Sequence, residues 1–363
     1  MDKNVKNSRI AFGVYFYIAM CFVLIRMLSA FGLLSFLKGT AGYVFTLVVQ
    51  VVLLFGGSVL AYSFISKQKV KHVLKDYGYR KTSSKVVIIS ILVGVVVFVI
   101  NIFVSNFFNS IIRALGYSSS RASVAGSGYY PVWLLFVNLI FTAVLPAICE
   151  ETAHRGMLLN ACKGFSRGRA IFITAIMFGL LHLNIEQFFY ATIIGLYLGY
   201  VVEYTQSIVP AMIIHFMNNA LSVLLTFSGV HGLSLARIYA KVMGIISSNI
   251  AVGIIFVASL LVILLYLLFQ LTIFLISTLL KERMDEEKKN IINFFKRQDY
   301  LIDVEKITNK IPENKFDVVE IDLNKFFATR KKSKIDKVSL TFIILSISMM
   351  AVLTIFTFVW GVI

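Results

Sequence analysis

Apolar runs long enough to cross a membrane fill most of this 363-residue chain. Hydrophobic residues make up 58% of the sequence and charged residues 15%, whereas soluble domains carry about 25% charged residues. A bilayer core requires about 20 apolar residues in a helix. We therefore predict an all-α, polytopic membrane helix bundle of about eight or nine spans, and we exclude a soluble enzyme and a disordered protein. The candidate spans are 10–36, 43–66, 86–110, 130–161, 168–185, 187–206, 208–229, 248–280 and 338–362.

Lysine and arginine are concentrated in alternate loops, which predicts the orientation of the bundle. The segment 67–85 carries seven Lys and Arg against one acid, Asp76, so the positive-inside rule makes it cytosolic. The N-terminus then also lies inside, and the loop 111–131 lies outside. The net charge of +17 is accordingly explained by basic loops that face anionic membrane lipids, and we expect no nucleic-acid partner. The low proline content and high Lys, Asn and Ile content are typical of an AT-rich genome, which favours a bacterial cell membrane.

The composition divides the chain into five regions. The segment 281–337 holds 15 Lys and Arg and 12 Asp and Glu, which indicates either a solvated cytosolic connector or a segment that binds a cytosolic partner. The cysteines have no spacing typical of a metal site or disulfide framework, so we interpret Cys21, Cys149 and Cys162 as small apolar residues. The predicted regions are N-terminal membrane helices over 1–129, a core over 130–230, a further membrane helix over 231–280, the charged segment over 281–337 and a final membrane helix over 338–363.

Acidic residues are almost absent from the predicted membrane domain. Of 18 acids in the chain, 12 lie in 281–337. Glu186 and Glu203 fall near predicted span ends and are interpreted as interface residues. Glu150 and Glu151 form an adjacent pair within a span, where each charge costs a few kcal/mol. Such a cost indicates a charged partner or a functional cavity.

The spacing around this pair predicts two different environments. Arg155 follows Glu151 by four residues, so the two share a helix face and can form an ion pair. Glu150 is rotated by about 100° and faces elsewhere. Glu150 can therefore line a cavity, although an inert network of ion pairs would have the same spacing. His154 falls on another face and is interpreted as a helix-surface residue.

Two histidines and an asparagine lie in neighbouring spans. His182 ends the fifth predicted span, and His215 and Asn219 share a face of the seventh. Counted from the predicted cytosolic edges, Glu150 and these three residues lie roughly 12 to 21 Å deep, in one layer. A carboxylate, imidazoles and an amide in a partly dry cavity can activate water and stabilise an oxyanion. Glu150, His182 and His215 could instead hold a zinc ion.

The three blocks of residues resemble those of a known family of membrane proteases. Glu150, Glu151 and Arg155 match Glu-Glu-x-x-x-Arg. Phe178 and His182 match Phe-x-x-x-His, and the third block, His-x-x-x-Asn, is met by His215 and Asn219. The chain is similar over about 130–225 to the CPBP family of intramembrane proteases, the type II CAAX prenyl endopeptidase or Abi family. The core over 130–230 is then a catalytic core.

The resemblance implies a membrane-bound peptidase whose site opens toward the cytosol and whose substrate is a membrane-associated peptide or protein terminus. It implies that Glu150 activates water with help from His182, that His215 and Asn219 form the oxyanion site, and that Glu151 and Arg155 orient the helix. The family allows a glutamic mechanism without a cofactor and a metallo-endopeptidase mechanism with Zn²⁺, and both remain open. For a bacterial chain it implies peptide or bacteriocin maturation or self-immunity.

Two alternatives to a protease are retained. The first is a non-proteolytic membrane scaffold or regulator on the same fold, motivated by the charged segment 281–337. The second is a small transporter that uses the intramembrane charges.

Overall fold

The computed structural model describes residues 3–37, 39–118, 130–297 and 335–362, which are helical with short turns and contain no strand. The all-α fold class is therefore confirmed. We number the helices in chain order as α1 Lys3–Ala30, α2 Thr40–Ser66, α3 Val70–Asp76, α4 Ser84–Ala114, α5 Val132–Gly164, α6 Arg167–Leu181, α7 Ile185–Thr205, α8 Val209–Val230, α9 Ser234–Ser248, α10 Ile250–Arg297 and α11 Lys337–Val362.

Eight helices within the described residues are long and apolar enough to cross a membrane, which makes the chain a multi-pass membrane protein. They are α1, α2, α4, α5, α7, α8, α10 and α11. The remaining predicted span, 168–185, corresponds to α6, which has 15 residues. A helix of that length is about 22 Å long, shorter than a bilayer core of about 30 Å. The prediction of about eight or nine spans is therefore confirmed at eight, and α6 is the candidate span that is too short to be counted.

Helices α6 and α7 form an antiparallel hairpin that small residues bring into close contact. A Cβ atom added to Gly195 would lie 3.1 Å from the Cα of Ala175, and one added to Gly179 would collide with the hydroxyl of Thr192. The two helices are joined by a tight turn in which Leu183 has a φ of 49°. Asn184 ends this turn by accepting a hydrogen bond from the backbone N–H of Glu186 at 2.9 Å, which caps α7.

The basic end of the bundle is closed by the segment that contains α3 and the residues after it. Tyr77 is buried against Gly156, where a Cβ atom would lie 2.8 Å from the Tyr77 ring, and its hydroxyl donates to the carbonyl of Ser58 at 2.7 Å. The hydroxyl of Tyr79 lies 2.6 Å from that of Thr152 on α5. Burial raises the pKa of the Tyr79 phenol, which keeps it protonated. The predicted cytosolic loop thus packs into the bundle.

Chain segments that are distant in sequence meet at this same end. Arg9 of α1 pairs with Asp336 just before α11, and Ser83 donates to Glu282 of α10. Helix α10 continues through the predicted boundary at residue 281 as far as Arg297. The predicted partner-binding role of 281–337 falls largely on 298–334, which lie outside the described residues.

The α6–α7 contact yields a stability prediction. Gly179→Ala should destabilise the protein by about 1–3 kcal/mol, because the new methyl group collides with Thr192 and with the backbone carbonyl of Phe188, 2.8 Å away. Gly168→Ala is the matched control, since a Cβ atom there meets nothing within 4 Å. Thermal unfolding of the purified variants in detergent checks this. Equal melting temperatures for the two variants would contradict the packing described.

Candidate active site

Helix α5 carries the two glutamates between two stretches of π-helix. These stretches are Leu139–Val144 and Thr152–Leu158, and an α-helical segment, Leu145–Glu151, separates them. The wider π-helical turns alter the register of the side chains, a feature frequent at functional sites. The predicted rotation between Glu150 and Glu151 leads to two separate environments.

Glu151 lies in a fully buried ion pair. Its Oε1 accepts from Nη1 of Arg155 at 2.8 Å, and neither side chain is exposed. The same oxygen accepts from Nδ1 of His215 on α8, also at 2.8 Å. Arg155 further donates to the carbonyl of Gly195 at 3.1 Å. One carboxylate therefore connects the site helix to α8, and its arginine connects it to α7.

The ring of Phe178 on α6 contacts the buried arginine and three histidines. The Arg155 guanidinium lies 4.4 Å from the centre of its ring, a distance at which a cation and a ring attract each other. The rings of His154, His182 and His215 surround it with centroids 5.0, 5.3 and 5.8 Å away, all near perpendicular. Phe178 thus fixes the positions of both histidines of the family motifs.

Glu150 faces a cavity of about 350 Å³, which we call the glutamate cavity. His182, Arg26 and Gln187 also line it, together with Phe22, Ile25, Ser29, Leu181 and Leu183. Nε2 of Gln50 on α2 donates to Oε1 of Glu150 at 3.2 Å. Sequence reasoning missed Gln50, although a lone amide in an otherwise apolar span was a usable signal.

The hydrogen bonds of His182 fix its tautomer. Nδ1 lies 3.0 Å from the carbonyl oxygen of Phe178, and a carbonyl can only accept, so Nδ1 carries the proton. In the neutral ring Nε2 is then the basic nitrogen. His182 can accordingly accept a proton, or a hydrogen bond from water, beside Glu150.

The interpretation of His154 as a surface residue is wrong. His154 is fully buried. Its Nδ1 donates to the carbonyl of Glu150 at 2.8 Å, and its Nε2 lies 3.0 Å from the hydroxyl of Tyr15. Tyr15 lies on α1, 139 residues away in sequence, so nothing local predicted this contact. His154 supports the backbone that carries Glu150.

Asn219 lies in different surroundings from Glu150. It lines a second cavity of about 600 Å³, which we call the asparagine cavity, with Asn101, Asn106, Asn109, Asn218, Arg113, Glu186 and hydroxyl-bearing side chains. Asn101 donates to Asn218 at 3.2 Å, Asn218 to Asn219 at 3.0 Å, and Asn219 to the carbonyl of Thr142 at 3.1 Å. Sequence reasoning missed the amides on α4. The recurrence of polar residues at 101, 105, 106 and 109 in an apolar helix was the available signal.

Glu150, His182, His215 and Asn219 were predicted to lie at one depth, and the hydrogen bonds agree with this only in part. His215 and Glu151 lie at one depth because they are hydrogen-bonded. Asn219 contacts Thr142, which precedes Glu150 on α5 by eight residues, or about 12 Å of helix.

The expectation that the site opens toward the basic, predicted cytosolic end stays a prediction, and the described residues near Glu150 point the other way. Residues 151–159 of α5, which lead toward that end, are all buried. The glutamate cavity is lined instead by the last third of α1 and by the turn between α6 and α7, at the opposite end of the bundle.

The predicted zinc ligands are not gathered into a metal site. Within the described ranges, no three His, Cys, Asp or Glu side chains are grouped so that they could hold a metal ion. Glu150 and His182 share a cavity, whereas Nδ1 of His215 is engaged by Glu151. The donor set Glu150, His182 and His215 does not fit a zinc ion in this arrangement.

Residues 131–221 match the family model described as type II CAAX prenyl endopeptidase Rce1-like. The chain carries an Rce1-like domain. The domain runs from the start of α5 into α8 and contains Glu150, Glu151, Arg155, His182, His215 and Asn219. The predicted family is thereby confirmed over this segment, and the general class is a CAAX-type membrane endopeptidase. No curated protein and no solved structure matches the chain.

The two glutamates of the Rce1-like domain should differ in their effect on stability. Glu151→Gln leaves the Arg155 charge buried without its carboxylate, so we expect a loss of about 3–5 kcal/mol. Glu150→Gln, which keeps the amide partner Gln50 within reach, should melt close to the parent protein. Thermal unfolding in detergent measures both. A Glu151→Gln variant as stable as Glu150→Gln would show that the ion pair is not structural.

Proposed function

We propose that the chain is an intramembrane endopeptidase in which Glu150 activates the attacking water. The observation that supports this most is the different surroundings of the two glutamates. Oε1 of Glu151 accepts hydrogen bonds from both Arg155 and His215, whereas Glu150 faces a cavity together with His182. Only a carboxylate in contact with a cavity can reach both a water molecule and a substrate. An inert network of ion pairs would have engaged both acids.

In the proposed reaction, the Glu150 carboxylate removes a proton from water, and the hydroxide attacks the carbonyl carbon of the scissile bond. The protonated Glu150 then returns the proton to the leaving amine as the carbon–nitrogen bond breaks. Gln50 holds the carboxylate in position through its amide. Nε2 of His182, the basic nitrogen of the neutral ring, accepts a hydrogen bond from the water and orients it.

The oxyanion of the tetrahedral intermediate requires hydrogen-bond donors. Asn219 has a second amide hydrogen besides the one donated to Thr142. His215 donates through Nδ1 to Glu151, so its Nε2 becomes a donor only when both ring nitrogens carry protons. We propose His215 as the oxyanion donor, because Asn219 lines the other cavity and contacts Thr142, about 12 Å along α5 from Glu150, and is too distant to share this role in the present arrangement.

The proposed mechanism is the glutamic one, without a metal cofactor. It is supported by the donor geometry, since Glu150, His182 and His215 are not grouped as ligands. The proposed setting is the bacterial cell membrane, with a membrane-associated peptide or protein as the partner. Peptide or bacteriocin maturation and self-immunity are the roles proposed there. A scaffold on the same fold is the alternative that the next experiment separates from a protease.

Glu150→Gln should reduce cleavage by about 10²–10⁴-fold, the usual contribution of a general base. The measurement uses purified full-length protein in proteoliposomes with a peptide library read by mass spectrometry, beside a peptidome comparison of cells that carry each form. Glu203→Gln is the matched control, because Glu203 pairs with Arg167 outside the cavities. Equal cleavage by Glu150→Gln and the parent would refute the proposed base. A cellular phenotype that survives Glu150→Gln would favour the scaffold.

A metal-free mechanism predicts insensitivity to chelators. The same cleavage should continue in EDTA and in 1,10-phenanthroline, and the purified active protein should contain far less than one zinc ion per chain. Elemental analysis of the protein that was assayed provides the second value. Cleavage that is lost in chelator and restored by added zinc would contradict this mechanism and support the metallo-endopeptidase.

A further inference from the structure

The two ends of the bundle differ in access to the glutamates. At the basic end, Tyr77 packs on Gly156 and Tyr79 contacts Thr152, directly beyond Glu151 on α5. The hydroxyl of Ser8 on α1 donates to the carbonyl of Ala161 at 3.0 Å. These contacts bury α5 from Glu151 to Leu159. A peptide that approached Glu150 from this end would therefore meet α3 and the residues that follow it.

Both cavities extend toward the other end. The glutamate cavity is bounded by Ser29 near the end of α1 and by Gln187 at the start of α7. The asparagine cavity follows the second half of α4 as far as Arg113 and reaches Tyr239 on α9. All of these residues lie on the side of the α6–α7 turn. The described lining of both cavities therefore extends to this end of the bundle and not to the basic end.

The distribution of basic residues orients these ends across the membrane. Among the described residues, the segments 3–9, 67–85 and 162–169 at the closed end carry 13 Lys and Arg. The described segments 26–37, 111–118, 182–187 and 231–249 at the open end carry four. Such an excess in short loops marks the cytosolic side. The closed end is then cytosolic and the open end extracytosolic.

We propose that the site takes its substrate from the extracytosolic face of the membrane. This rests on the proposed proteolytic function and narrows its substrate class to polypeptide segments exposed on that face: exported peptides that adhere to the membrane, and external segments of anchored proteins. Cytosolic chain ends are excluded as substrates.

The lining of the asparagine cavity suits such substrates. Amides and hydroxyls line it, with one cation, Arg113, and one acid, Glu186, among the described residues. Side chains of this kind donate and accept hydrogen bonds, as a peptide backbone does, without requiring a particular charge on the substrate. The row of amides leads from the open end inward to Asn219.

Cysteine labelling of the full-length chain in cells tests the direction of opening without requiring catalysis. The background is Cys21→Ser, because Cys21 is exposed whereas Cys149 and Cys162 are buried. Single reporters are Ser29→Cys in the glutamate cavity, Ser222→Cys in the asparagine cavity and Lys81→Cys at the basic end. A membrane-impermeant maleimide is applied to intact cells and to permeabilised cells.

We expect Ser29→Cys and Ser222→Cys to react in intact cells, and labelling of Lys81→Cys to be lost unless the cells are permeabilised. The reverse pattern would overturn the proposal. Ser234→Cys, exposed at the start of α9, is the control for the open end. If it reacts in intact cells while both cavity reporters do not, the cavities do not open there and the proposal fails. Neither failure would alter cleavage by the purified enzyme, so the proposed function is judged separately.

Discussion

A single buried arginine determines how the core of this bundle is assembled. A charge in the interior of a membrane protein has to be neutralised and hydrogen-bonded. Arg155 meets this requirement with Glu151 on its own helix, the carbonyl of Gly195 on α7 and the ring of Phe178 on α6. Glu151 extends the arrangement to His215 on α8. Four helices thus converge on one ion pair, and displacing any of them would leave a charge or a polar group unpaired.

The same constraint separates the chemistry of two adjacent residues. Because Glu151 must satisfy Arg155, it cannot serve as a base without leaving the arginine uncompensated. Glu150, one residue earlier and rotated by about 100°, meets the amide of Gln50 and faces a cavity. Its backbone is held by His154 and, through His154, by Tyr15 of α1. The structural acid therefore fixes the helix on which the proposed catalytic acid is presented.

The sequence was informative where the contacts are local. The four-residue spacing of Glu151 and Arg155 predicted their pairing, and long apolar runs predicted the spans apart from the short α6. It was uninformative where partners come from distant helices. Viewed on α5 alone, His154 falls on an outer face, and only the position of α1 shows that this face is buried. The direction of opening likewise depends on how the loop with Tyr77 and Tyr79 folds over α5, which the charge of that loop does not encode.

Hydrolysis inside a membrane requires water beside one group and dryness around another, and Phe178 contacts a residue of each kind. Its ring lies against the Arg155 guanidinium, whose attraction to Glu151 is stronger in a dry environment than in water. Its ring and its backbone carbonyl also contact His182, whose side chain lines the glutamate cavity. Phe178 is itself buried. The phenylalanine of the second motif thereby joins the buried ion pair to a side chain of the cavity through a single ring.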